Sequence, residues 1–205
     1  MDIKWIVFDA MGVIYTESDD VRKWVEPFIK EKNKNADLSD MQEIYHKAAR
    51  GEMTSTEFFE YYGVENASMA MYEYVKKYPK IDPDFLETAI RLSENYHIAM
   101  LSNDLDEWSR LLRKKFMLET VIEKSIISGT EGVAKPDSGI FLRAIDILNS
   151  VPEECLFIDD KERNLIAARN LGFQVLRFNR NKENIISNIK SVESFKELEE
   201  YINMG

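Results

Sequence analysis

The chain has 205 residues, 44% hydrophobic and 31% charged, which suits one α/β domain with a modest insertion and ample core. Its formal net charge of −10 argues against nucleic acid or an anionic membrane as the main partner. A lone cysteine, Cys155, leaves no internal disulfide, and no apolar run has the length of a membrane span or a secretory leader. The expected compartment is the cytoplasm.

In chain order, Trp5-Ile6-Val7-Phe8 is an unbroken apolar run that predicts a strand buried on both faces. It ends on Asp9, with Gly12 three residues on. From Thr16 to about Asp84 no run reads as a buried strand, and helices are expected throughout. Val21, Trp24, Val25, Phe28 and Ile29 fall at helical spacing within Asp19–Lys32. Ser39 is the expected cap of a second helix that runs to Arg50 before Gly51. Thr54 and Glu57 form a capping box ahead of Phe58-Phe59-Glu60-Tyr61-Tyr62, with Gly63 as the stop. A fourth helix is expected over Asn66–Lys77, with Met69, Met71, Tyr72, Tyr74 and Val75 on its apolar side.

Asp82-Pro83 opens a helix to about Asn95, and strand then alternates with helix. The expected order is strand His97–Leu101, helix Asp106–Lys115, strand Ser125–Ile127 and a helix from an Asp137 cap to Asn149. Strand Cys155–Ile158, helix Glu162–Leu171, strand Phe173–Phe178 and a closing amphipathic helix complete the chain. Five short apolar strands separated by helices imply an α/β, Rossmann-like parallel sheet with helices on both faces. The expected division is a core of residues 1–15 and 85–205 and an inserted α-helical cap of residues 16–84.

Polar residues close four of these segments, where an open parallel sheet carries its chemistry. They are Asp9, Ser102 with Asn103, Lys135 in the loop before a helix, and the pair Asp159-Asp160. A carboxylate nucleophile, a hydroxyl and amide, a cation and an acidic pair form a set that handles phosphate. The acidic pair suits Mg²⁺, and the cation and donors suit charge on the non-bridging oxygens.

These motifs resemble the haloacid dehalogenase-like hydrolases over nearly the whole core. The matching segments are Phe8-Asp9-Ala10-Met11-Gly12-Val13, Ser102-Asn103, Gly132 through Lys135-Pro136-Asp137, and Phe157-Ile158-Asp159-Asp160 with Asn164. The helical insertion after the first motif resembles the subfamily with an α-helical cap. The resemblance implies a covalent intermediate on Asp9. It also implies Mg²⁺ held by Asp9, the backbone carbonyl of Met11 and Asp159, with Asp160 nearby, and a small phosphorylated substrate.

Met11 departs from the pattern, because the family's phosphatases carry an aspartate there as acid and base. A missing acid–base group typically costs about 10²–10⁴-fold in rate. Three readings follow: a phosphatase with another proton donor, a metal-independent 2-haloacid dehalogenase whose halide leaves without a proton, or a non-catalytic binder of a phosphorylated ligand or a protein. Asp104 and Asp106 are read as caps of the next helix, with one of them a candidate replacement acid. His46 and Lys161 read as solvated surface groups, His97 as the residue that opens a strand, and Cys155 as a buried small hydrophobe.

Overall fold

The computed structural model describes residues 3–183 and 188–204. Among them, six strands form one parallel sheet in the order β3-β2-β1-β4-β5-β6. The strands are β1 (Trp5–Phe8), β2 (His97–Ser102), β3 (Lys124–Ile127), β4 (Cys155–Asp159), β5 (Gln174–Phe178) and β6 (Ser191–Val192). Every residue of β1 is buried, as the unbroken apolar run requires of a central strand. Phe8 pairs in register with Met100 of β2 and Ile158 of β4, so three strands end level beside Asp9. Strand order reverses at β1, which opens a crevice at its carboxyl end.

The pleat sends alternate residues to opposite faces. Ile6, Phe8, Ile98, Met100 and Ile158 belong to one apolar cluster with Phe85 and Ala89 of α5 (Phe85–Leu92) and with Phe195 and Leu198 of α10 (Phe195–Asn203). Val7, Ala99, Leu101 and Phe157 join the other cluster, covered by α8 (Ser138–Leu148) and α9 (Glu162–Asn170). Burying one such aromatic or branched side chain contributes roughly 1.5–3 kcal/mol. Cys155 lies within this second layer, fully buried.

Between β1 and α5 the chain is helical. A π turn (Val21–Val25) runs into α1 (Glu26–Lys32), followed by α2 (Met41–Ala48), α3 (Ser55–Tyr61) and α4 (Ala67–Lys77). The expected capping box is present. Thr54 accepts from the Glu57 N–H, and the Glu57 carboxylate accepts from the Thr54 N–H at 2.8 Å. Phe59 and Tyr74 pack on Trp108 of α6 (Asp106–Lys115), with the Tyr74 and Trp108 rings 4.6 Å apart, and Phe28 packs on Phe59 and Tyr74 in turn. The chain leaves and re-enters this helical region through two paired segments. Thr16 N–H donates to the Lys80 carbonyl at 3.0 Å, and Asp82 N–H donates to the Ile14 carbonyl at 2.9 Å.

Several expectations shift in detail. Ser39 does not cap α2: Asp40 occupies the cap position, and its carboxylate accepts from the Tyr61 and Tyr62 hydroxyls rather than from the helix. The helix expected to open at Asp82-Pro83 and run to about Asn95 instead spans Phe85–Leu92, with Asp84 at the cap position and its N–H donating to the Asp82 carboxylate. On α4 the buried face is Ala67, Ala70, Tyr74 and Val75, while Met69 and Tyr72 stand exposed. A sixth strand and the one-turn helix α7 (Ser128–Glu131) add to the expected elements. No helix among the described residues is long and apolar enough to cross a membrane.

Candidate active site

The site grows from the level ends of β1, β2 and β4. Asp9 follows β1, its own N–H donating to the Ile158 carbonyl at 2.8 Å, which fixes it beside Asp159 at the end of β4. Asp9 and Asp159 are both buried, at 5% and 0% exposure. Lys135 reaches between them. Its Nζ donates to Asp9 Oδ1 at 2.6 Å, to Asp159 Oδ2 at 2.9 Å and to the Leu101 carbonyl at 2.8 Å. Its backbone is held by Asn103, whose side-chain amide exchanges two 2.8 Å hydrogen bonds with the Lys135 N–H and C=O.

Burial opposes the charge of each member of this trio, and their mutual attraction opposes burial. Burial, then the Asp159 charge, push the Asp9 carboxyl up, while Lys135 pulls it down. Burial alone would lower the Lys135 ammonium, but Asp159 and Asp9 outweigh it and hold it above its ordinary value. Asp159 is further satisfied by the Asn164 amide at 2.9 and 3.1 Å and by the Lys161 N–H at 2.7 Å.

Asp160 completes the acidic side. Burial, then the Asp159 charge, raise its carboxyl to about 6. Its Oδ1 is buried without a hydrogen-bond partner. One oxygen from each of Asp9, Asp159 and Asp160 lies within 4.8 Å of the others. Three hard carboxylate donors, one of them unsatisfied, fit a divalent cation such as Mg²⁺. Gly12 keeps this space open, since a Cβ there would sit 2.5 Å from Asp160 Oδ2 at a φ of +82°.

Asp9 and Lys135 open into a cavity of about 230 Å³ together with Met11 and Asn103 from the sheet side. The helical region supplies Asp20, Gln42, Tyr45, His46 and Arg50, and the start of α9 supplies Lys161 and Arg163. Ser102 is buried beside Asn103, its hydroxyl lacking a partner. A larger cavity, about 330 Å³, lies near the amino ends of β1 and β5 among Ile3, Tyr96, Phe173 and Lys190, and no carboxylate among the described residues lines it. Asp9 opens into the smaller one.

The sequence pattern of haloacid dehalogenase-like hydrolases matches residues 3–172. The chain belongs to this family. Among curated relatives, (S)-2-haloacid dehalogenase 4A of Burkholderia cepacia is 31% identical over 119 residues, covering 58% of this chain and 50% of that one. The chain thus spans about half the length of that relative. D-ribitol-5-phosphate phosphatase of Bacteroides thetaiotaomicron is 27% identical over 190 residues, covering 85% of this chain and 91% of that protein. A haloacid dehalogenase family enzyme from the same bacterium, solved as a magnesium complex, superposes with a TM-score of 0.71 at 26% identity. That match covers 85% of this chain and 92% of the solved one.

Of the site residues expected from the sequence, Asp9, Met11, Asn103 and Lys135 line one cavity, and Asp159 and Asp160 cluster with Asp9; Ser102 is buried at the end of β2 and is not among the cavity's lining residues. Several lining residues were not expected there. His46 and Lys161, read as solvated groups, line the cavity, and so do Asp20, Gln42, Tyr45, Arg50 and Arg163. Neither Asp104 nor Asp106 caps α6. Asp104 is 1% exposed and accepts from the Leu105 N–H, and Asp106 pairs with Arg110.

Proposed function

We propose that this hydrolase is a Mg²⁺-dependent phosphatase of small phosphorylated metabolites, acting through a covalent intermediate on Asp9. The observation that carries this reading is the convergence of Asp9, Lys135, Asp159 and Asp160 at one set of strand ends. In this reading Asp9 attacks phosphorus, and Lys135 with Ser102 and Asn103 binds the transferring group. The metal would be held by Asp9, the Met11 carbonyl, Asp159 and Asp160. Bound Mg²⁺ neutralises negative charge on phosphoryl oxygens. The lining side chains Arg50, Lys161 and Arg163 favour an anionic substrate locally, against the chain's net charge of −10.

Residues 16–84 then act as a cap over a core of residues 1–15 and 85–205. The two paired segments at 14–16 and 80–82 support this division, since both passages between the parts lie side by side. A cap of this kind keeps water from the intermediate until it is attacked productively.

Met11 favours a second reading, metal-independent dehalogenation, because halide leaves without a proton. The clustered acids favour the first. Titration calorimetry separates them: magnesium should bind the wild-type protein and bind more weakly to Asp159→Asn. Absence of magnesium binding, with halide released from 2-haloacids in chelator, would establish the second reading instead.

A further inference from the structure

A thioether neither gives nor takes a proton, so a phosphate ester cleaved beside Met11 must receive the proton for its leaving oxygen from elsewhere. Among the described carboxylates lining the cavity with Asp9 are Asp19 and Asp20. Asp19 is half-exposed, and its carboxylate lies 3.9 Å from the Arg22 guanidinium three residues on. Asp20 is different. It is 7% exposed, and the buried Tyr45 hydroxyl donates to its Oδ2 at 3.1 Å. Tyr45 also lines the cavity, so the pair fixes a carboxyl at the wall where substrate would lie.

We infer that Asp20 is the general acid and base of this site, delivering a proton to the leaving oxygen in place of the acid that position 11 lacks. The inference rests on the phosphatase reading. In the first step Asp9 attacks phosphorus, the bond from phosphorus to the ester oxygen breaks, and the Asp20 proton passes to that oxygen to release the alcohol. In the second step water gives a proton to the Asp20 carboxylate and attacks phosphorus. The phosphorus–Asp9 bond breaks, returning inorganic phosphate, the Asp9 carboxylate and a protonated Asp20.

The surroundings suit that cycle. Burial raises the Asp20 carboxyl to about 6, against Lys161 and the Tyr45 hydrogen bond, which both lower it. Asp104 faces it from the loop after β2 and Tyr74 from α4, and burial, then the Asp20 charge, pushes each of these groups above its ordinary value. Asp104 is 1% exposed and is not among the residues that line the cavity, so Asp20 is the better placed donor.

The test compares kcat/KM for an alkyl phosphate and for p-nitrophenyl phosphate, whose leaving group departs without protonation. Asp20→Asn should lower the alkyl value by about 10²–10⁴-fold and the aryl value by less than about 10-fold. Adding Met11→Asp to Asp20→Asn should restore much of the alkyl activity. The wild-type protein gives a readout that needs no variant: the ratio of alkyl to aryl kcat/KM, in which ionisations of Asp9 and Asp160 common to both esters cancel, falls as pH rises through about 6. A wild-type ratio that does not fall with pH overturns the inference, however the variant folds. Equal losses for both esters in a folded Asp20→Asn protein overturn it too. A wild-type protein that hydrolyses neither ester refutes the phosphatase reading itself, a distinguishable failure.

Discussion

Replacing Lys135 with methionine tests how the buried trio is balanced. Methionine keeps a long, flexible stem beside the Phe157 ring, 5.3 Å from which the ammonium now lies, and removes only the charge. What remains is two carboxylates, with side chains 7% and 0% exposed, that have lost their shared cation. Deleting one partner of a buried ion pair costs about 3–5 kcal/mol, a large part of the roughly 5–15 kcal/mol of a whole domain. Relief comes through protonation. With Lys135 gone, the Asp9 carboxyl, already raised by burial and by Asp159, climbs further. The folded variant then holds a proton that the unfolded chain has released above about pH 4, so its stability falls as pH rises. Urea unfolding in chelator, followed by tryptophan fluorescence, should show a deficit of about 3–5 kcal/mol at pH 8 and a smaller one at pH 5. Adding Asp9→Asn to Lys135→Met should recover part of the loss. A deficit below about 1 kcal/mol at pH 8, with no recovery on removing the Asp9 charge, would refute the reasoning.

Gly12→Ala should destabilise by about 1–3 kcal/mol through its positive φ and its clash with Asp160, and calorimetry should show weaker magnesium binding. Asp20→Asn should flatten the pH dependence of stability. The folded Asp20 keeps its proton up to about pH 6, so wild-type stability falls between about pH 4 and 6 relative to the variant, by up to about 3 kcal/mol in urea midpoints taken at constant slope. Thr54→Ala removes the capping box of α3 at the surface and should cost about 1 kcal/mol in thermal or urea unfolding, leaving magnesium binding unchanged.

The legible parts of this molecule are those specified locally. Trp5 to Phe8 could only be a strand buried on both faces, and its final Asp9 then had to meet the ends of its neighbours. Thr54 and Glu57 fix a helix start within four residues. Ser191–Val192 escaped notice because two residues carry no period, and they pair only because Arg177 and Phe178 lie alongside. Ser39 is the expected cap of α2, and the chain instead places Asp40 there, with its carboxylate taken by the Tyr61 and Tyr62 hydroxyls at the end of α3. The cavity's far wall was illegible for a deeper reason. Asp20 reads as half of a polar pair opening a helix, and only the fold brings Tyr45 against it. Arg50 and Arg163 are separated by more than a hundred residues and meet through the return of the chain to the sheet. Polar groups at strand ends announce themselves, and groups delivered by the helical stretch between β1 and α5 do not.

The most direct test measures phosphate release from a panel of small phosphate esters by the wild-type protein and by Asp9→Asn, each with magnesium and with chelator. The account predicts release by the wild-type protein with magnesium, abolished by chelator and by Asp9→Asn. Release that persists in Asp9→Asn, or that ignores chelator, would contradict it.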